Sequence, residues 1–344
     1  MPTDSTALPF TAHRLRFELR ARDALVLGAH AGSALRGMLY RALMDLAGPV
    51  GHAGSQHLEF LPNDPVRFLM ATLDDDSARG QDVPRPYTIE PPVWADLLSG
   101  GSVDSRGEIT LPPGGAFVFG LTLYARAMEL FPYVILALKR AEAAGLGRGR
   151  GRFEVAQVWA ENPFTGETQP VYVAGDQLVR VPDLAITHAH VAAMPQPAGQ
   201  TISIAFLTPT TLRANKQPVF APQFNIVVHR LIERLTELSQ YAVDETGVAA
   251  LPCLPATREE KNDLLRRADA VRVSLDNTRW VSLNGYSARQ QAPTGLSGFA
   301  GEVRFEADAA GDFAPFMPLL RWGEIAHVGK HAVKGNGLFR ILDL

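Results

Sequence analysis

Cysteine is almost missing from this sequence: Cys253 is the only one in 344 residues. A single thiol excludes a disulfide framework, and without a Cys-x-x-Cys pair no structural zinc site of that kind is available, so a reducing compartment is expected. Long apolar runs are missing as well. None has the length that a bilayer crossing needs, and the opening MPTDSTALPF has neither the basic start nor the apolar core of a secretory signal. The expectation is a cytoplasmic protein with no membrane partner. Lysine is scarce too, since 28 of the 33 basic residues are arginine. A GC-rich genome produces that bias, and so does a need for the forked guanidinium that recognises phosphate. An overall basic excess is absent. A formal charge of -3 and a pI near 6.3 argue, on average, against nucleic acid as a partner.

That average conceals a segregation of charge. Residues 59–108 carry ten acids against four bases, whereas 327–340 carry three bases and no acid. Two stretches combine glycine with bases: GLGRGRGRFEV at 145–155 and GKHAVKGNGLFRI at 329–341. Glycine removes side chains where another backbone must come close, and the interleaved arginine and lysine supply the charge that a phosphate chain attracts.

Hydrophobic periodicity gives an element order. HRLRFELRA at 13–21 alternates like a half-buried strand, and SALRGMLYRALMDLAG at 33–48 puts Leu35, Leu39, Leu43 and Leu46 on one helical face, with Ser33 as cap. Residues 48–115 are rich in turn formers and read as irregular excursions with short strands. A strand at 114–125, a helix at 128–145 with Pro132 in its first turn, the glycine loop and another strand complete the half. After MPQPAGQ at 194–200 the order returns: strand 201–210, helix 222–243, a second helical pattern at 257–270, strands at 270–275 and 296–307, helix 313–328, glycine loop and final strand. The expected fold is α+β, two tandem ferredoxin-like βαββαβ domains at 1–193 and 194–344, with a glycine loop at the same place in each.

Several dead ends are visible. GLGRGRG follows a helix and precedes a strand, the reverse of a dinucleotide-binding turn. DDD at 74–76 reads as a solvated acidic turn, HAH at 188–190 as at most a weak metal chelate, and Cys253 has no histidine near it in sequence. No metal site and no cofactor are expected.

The stretches SALRGMLYRAL, PRPYTIEPP (84–92), GLGRGRGRFEV, FLTPTTLR (206–213), YSARQ (286–290), LSGFAGEVRF (296–305) and HVGKHAVKGNGLFRI, in this order, resemble the CRISPR-associated endoribonucleases that cut precursor CRISPR RNA. These form the sixth Cas family of the repeat-associated mysterious protein superfamily. The resemblance implies metal-free cutting of a CRISPR repeat to give crRNA, with other Cas effector subunits as further partners. Its alternative is a non-cleaving RNA-binding subunit of a crRNA-guided complex. Such cutting uses the RNA 2′-hydroxyl as nucleophile, and histidine suits the proton transfers because its pKa lies near neutrality. The family's spacing beyond the LRG turn lands within a residue of His52, the first catalytic candidate. His30 is the second, His57 stands close enough to replace His52, and Tyr40 is a hydrogen-bond donor one turn beyond Arg36. The expected RNA-binding set is Arg36, Arg148, Arg150, Arg152, Arg213, Lys216, Arg289, Lys330 and Lys334, with Tyr286 available to stack on a base. His327 and His331 are expected to touch phosphate or cap a helix.

Overall fold

The computed structural model describes residues 10–28, 31–47, 68–69, 84–92, 102–103, 108–242, 251–287 and 292–342. The chain divides into two compact units. One runs from Ala12 to Ala185; the other from Ile186 to Leu344 and takes in Phe10 and Thr11. The division precedes the MPQPAGQ stretch, so the change of unit falls ahead of the boundary expected at 193/194. Two contacts show why. The 188–192 helix packs on the helix at 317–326 of the second unit, and Phe10 stacks edge-on against Trp322 with ring centroids 5.1 Å apart.

In the first unit, β1 (Ala12–Ala21) is followed by β2 (Leu25–Leu27), α1 (Ala31–Ala47), β3 (Tyr87–Glu90), β4 (Ser102–Val103), β5 (Ile109–Leu111) and β6 (Ala116–Tyr124). Then come α2 (Phe131–Ala144), β7 (Phe153–Asn162) and β8 (Glu167–Val173). The antiparallel order β3-β6-β1-β7 is that of a ferredoxin-like sheet, extended at its edge by β8; β2-β5-β4 form a separate small sheet. The two-residue period of β1 buries Leu15, Phe17 and Leu19 on the core face. Its other face carries Arg14 and Arg16, which share Glu90 of β3 and Glu161 of β7 in one ion-pair network, with Arg14–Glu90 at 2.5 Å and Arg16–Glu90 at 2.7 Å. On α1, Leu35, Met38, Leu39, Ala42 and Leu43 are buried, the 3.6-residue stripe that the sequence shows. The helix begins at Ala31, so Ser33 lies within its first turn and is not its cap. Pro132 occupies the first turn of α2, where its missing N–H is harmless.

In the second unit, α3 (His188–Ala192) precedes β9 (Thr201–Thr210), the hairpin β10 (Leu212–Ala214) and β11 (Gln217–Val219), α4 (Phe224–Ser239) and α5 (Arg258–Asp269). β12 (Arg272–Val281), β13 (Asn284–Ser287), β14 (Ala292–Gly295), β15 (Gly298–Glu306), α6 (Met317–Ala326) and β16 (Phe339–Ile341) complete it. The order β12-β15-β9-β16 repeats the ferredoxin-like pattern. α4 and α6 pack on each other. Phe224 of α4 meets Phe305, Phe313 and Phe316 edge-on, with centroids 5.1–5.6 Å apart. The polar α5 is held by a reciprocal cap: Glu260 N–H donates to Thr257 Oγ1 at 3.1 Å while the Glu260 carboxylate accepts from Ala256 N–H at 2.7 Å.

Candidate nucleic-acid interface

The first unit positions two groups of predicted residues. On α1, Arg36 and Tyr40 lie one turn apart at the edge of the leucine stripe, both half-buried, and the Arg36 guanidinium sits 5.9 Å from the centre of the Tyr40 ring. The Arg36 Nε is buried and has no hydrogen-bond partner. A guanidinium so held leaves part of its donor set unused by the protein. His30, His52, His57 and Arg289 lie outside the described residues.

The second group is the loop between α2 and β7. Arg148 pairs with Glu108 at 2.6 Å, and Arg152 makes a forked contact with Asp23, Nε at 2.7 Å and an Nη at 3.1 Å. That contact holds the Asp23 carboxyl below the usual carboxylate range. Arg150, at φ 52°, is exposed and has no acidic partner among the described residues. Two of the three arginines thus tie the loop to its own unit, and Arg150 is the one left free to reach outward.

The backbone that these glycines admit is the protein's own. Gly147 has φ +74°, and a Cβ on it would come within 2.0 Å of the Val26 carbonyl oxygen; that carbonyl accepts the Arg148 N–H at 3.1 Å. The close-approaching backbone is β2 of the same protein. Gly149 alone in the loop opens onto free space. The terminal loop repeats the arrangement: Gly337, at φ +74°, would place a Cβ 1.9 Å from the Val328 carbonyl oxygen, and residues 335–339 are buried.

What secures the terminal loop is a set of polar clamps that the sequence reading missed. Thr208 Oγ1 donates to the Gly335 carbonyl at 2.8 Å and accepts the Leu338 N–H at 2.9 Å. Asn336 Nδ2 donates to the Leu296 carbonyl at 3.0 Å, and the buried His327 ring nitrogen Nδ1 bonds the Asn336 carbonyl at 3.2 Å. His327 therefore holds the loop from inside and does not meet a phosphate. The repeated threonines of FLTPTTLR were the available signal, since a hydroxyl at a strand end both donates and accepts. Arg340 turns back on its own unit, donating to the Glu324 carbonyl at 2.7 Å.

Lys330 and the β10–β11 hairpin come together. The Lys330 N–H donates to the Thr211 carbonyl at 3.1 Å, at the foot of the hairpin that carries Arg213 and Lys216. Asn215 and Lys216 both take positive φ, 49° and 65°, as a two-residue hairpin turn requires. Lys334 lies further along the terminal loop, in a short 3-10 turn.

The HAH pair is consumed by structure: the His190 ring accepts the Thr187 N–H at 3.3 Å, and the Trp322 indole N–H points at the His188 ring at 3.5 Å. A cavity of about 370 Å³ in the second unit does bring His188 and Cys253 to one wall, with Glu260 and Asp263. Burial pushes the Cys253 thiol up to about 12 and the His188 imidazole down, so neither is an activated pair. Among the described residues no group of three or more His, Cys, Asp or Glu is arranged to hold a metal ion, and no helix is long and apolar enough to cross a membrane.

Two ferredoxin-like sheets, each with a clamped, basic glycine loop, define a tandem ferredoxin-like protein. Residues 8–184 match the model of the AF_1859_N N-terminal domain, and residues 204–339 match that of the CRISPR-associated endoribonuclease Cas6. The fold is similar to a Cas6 product complex, at TM-score 0.55 and 16% identity over 96% of this chain and 99% of that one. It is also similar to Thermus thermophilus Cas6, at TM-score 0.53 and 15% identity over 97% and 99%. Further, it resembles part of a Cas6-RT-Cas1–Cas2 complex, at TM-score 0.55 and 12% identity over 98% of this chain and 29% of that one. No curated protein matches the chain in sequence. The match over residues 204–339 supports a CRISPR-associated endoribonuclease of the Cas6 type.

Proposed function

We propose that this endoribonuclease cuts CRISPR repeat RNA without a metal ion, by attack of a ribose 2′-hydroxyl on the adjacent phosphate. The bond from the 2′-oxygen to phosphorus forms as the bond to the leaving 5′-oxygen breaks, which yields a 2′,3′-cyclic phosphate and a 5′-hydroxyl. Three things are needed: a base for the 2′-proton, an acid for the leaving oxygen, and a cation for the charge gathering on the phosphorane. The observation that carries this reading is Arg36, whose guanidinium lies over Tyr40 with its buried Nε unused. It supplies the cation, Tyr40 a hydrogen bond, and His52 or His30 the proton transfers. Arg150, Arg213, Lys216, Arg289, Lys330 and Lys334 hold the strand, while Arg148 and Arg152 fix the loop that presents Arg150. The site of action is the cytoplasm, and other Cas subunits are partners, a reading supported by the appearance of a Cas6 segment in a larger Cas1–Cas2 assembly.

Incubation of end-labelled repeat RNA with the protein in EDTA tests the chemistry. Cutting is expected to persist in EDTA and to stop when the nucleotide 5′ of the cut is 2′-deoxy. His52→Ala is expected to lower the rate about a hundred- to ten-thousandfold while RNA affinity stays. If His30→Ala does this instead, the assignment moves to His30. Cutting of the deoxy substrate, or dependence on added Mg²⁺, overturns the mechanism.

A further inference from the structure

Several exposed arginines of this protein are matched with acids: Arg22 with Glu154, Arg148 with Glu108, Arg152 with Asp23, Arg272 with Asp308. One region of the second unit combines unmatched cations with exposed aromatic rings. Arg213 and Lys216 on the β10–β11 hairpin and Arg279 on β12 are exposed and have no acidic partner among the described residues. The same two elements carry an aromatic pair on the surface. Phe220, just past β11, is 64% exposed, and Trp280, next to Arg279, is 37% exposed; their rings meet at 4.8 Å between centroids and a tilt of 51°.

Large aromatics left in water are costly unless something covers them. The hairpin itself explains the position: its Asn215–Lys216 turn holds β11 so that Phe220 emerges against Trp280 at the end of the edge strand β12. Two rings with an open face, beside a hairpin that carries the unmatched Arg213 and Lys216, offer a π-surface to a flat partner and a counter-charge to a polyanion. A protein partner would be met by a broader apolar surface with fewer unpaired cations. An RNA duplex keeps its base faces stacked internally, so only an unpaired stretch can use the rings.

We propose that Phe220 and Trp280 form a base-stacking platform for a single-stranded segment of RNA, whose phosphates are met by Arg213 and Lys216 of the adjoining hairpin. This rests on the reading of the protein as a processor of repeat RNA, and it deepens that reading by adding a binding site for unpaired nucleotides apart from the α1 site.

The full-length protein is titrated with a twelve-residue oligouridine and with a duplex RNA of equal length, reading tryptophan fluorescence and anisotropy. Oligouridine is expected to quench a component that Trp280→Phe removes, and the duplex is expected not to. Trp280→Ala and Phe220→Ala are expected to lower oligouridine affinity about five- to a hundredfold, with Trp280→Phe keeping most of it. Repeat RNA with a single-stranded flank is expected to lose affinity in Trp280→Ala more than repeat RNA trimmed to its paired part. Absence of Trp280 quenching in the wild-type protein overturns the proposal without any variant having to fold. So does wild-type RNA affinity in a folded Trp280→Ala, including the case in which that variant changes only the oligomeric state and so marks a protein-binding surface. Wild-type protein that cuts repeat RNA normally while these outcomes fail leaves the enzymatic reading standing. Wild-type protein that shows Trp280 quenching but never cuts repeat RNA sinks the enzymatic reading and leaves the platform.

Discussion

Arg36 is held by its neighbour: the Tyr40 ring one turn away supports the guanidinium from one side, a contact worth about 0.5–2 kcal/mol depending on how dry it is. The planar fork matters as much as the charge, because a lysine ammonium can neither lie flat on the ring nor offer two parallel donors. Arg36→Ala is therefore expected to cut the cleavage rate by roughly a hundred- to a thousandfold, and Arg36→Lys to recover only a minor part of it in single-turnover kinetics. Tyr40→Phe separates ring from hydroxyl: RNA affinity should hold while the rate falls about tenfold, if the hydroxyl bonds the reacting phosphate, and both should hold if Tyr40 serves Arg36 alone. A second residue-scale expectation concerns pH. Burial pushes the His13 imidazole below its ordinary 6.5, with Asp183 pulling it back, and its buried Nδ1 has no hydrogen-bond partner. The unfolded chain then binds a proton that the folded chain resists. Stability linked to His13 is full above pH 6.5 and is lost as pH falls through the lower folded value. Melting temperatures at pH 7.5 and pH 5.5 should differ less in His13→Gln than in the wild-type protein.

At the scale of elements, the glycine loops are read best as joints. Each connects the second helix of a ferredoxin-like unit to its last strand, and each turns so tightly that main chain lies directly on main chain. Gly147 and Gly149 separate the two demands on such a loop. Both have positive φ, so alanine at either costs about 1–2 kcal/mol from handedness alone. Only at Gly147 does the new methyl also strike the Val26 carbonyl and disturb the bond that it accepts from Arg148. Gly147→Ala should lower the unfolding free energy by about 3 kcal/mol and Gly149→Ala by about half of that, measured by denaturant unfolding. Equal losses would mean that β2 does not fix the loop. The elements themselves were largely legible. The leucine stripe of α1, the alternation in β1 and the placing of Pro132 all appear where periodicity put them, because each reflects burial of one face. Ser33 was misplaced as a cap, since the helix starts earlier on Ala31 and Gly32, which carry no cap signal. The threonines of the clamps were visible but their partners were not, because Thr208 lies more than a hundred residues from the Gly335 carbonyl that it binds.

For the molecule as a whole, a net charge of -3 means that RNA cannot be gathered by average attraction and must be met by local cations. Affinity for repeat RNA should still fall linearly with the logarithm of salt concentration. Arg150→Ala should reduce that slope by about 0.7–0.9, one phosphate contact, while cleavage of bound RNA stays as it was. A slope unchanged in Arg150→Ala would remove this residue from the interface. Duplication was readable at this scale as well: the same order of strand, helix, strands, helix, loop and strand occurs twice because each unit must bury one helical layer on one sheet. By itself the sequence determined the class of fold, the twofold repetition of it and the identity of the glycine-rich joints, since these follow from burial period and backbone freedom, which are local properties. Only the tertiary structure decided which cations are spent on internal acids and which stay free, and which backbone the glycines admit. Ion pairing such as Arg152–Asp23 and packing such as Phe220 on Trp280 join residues far apart in the chain, and no local pattern records them.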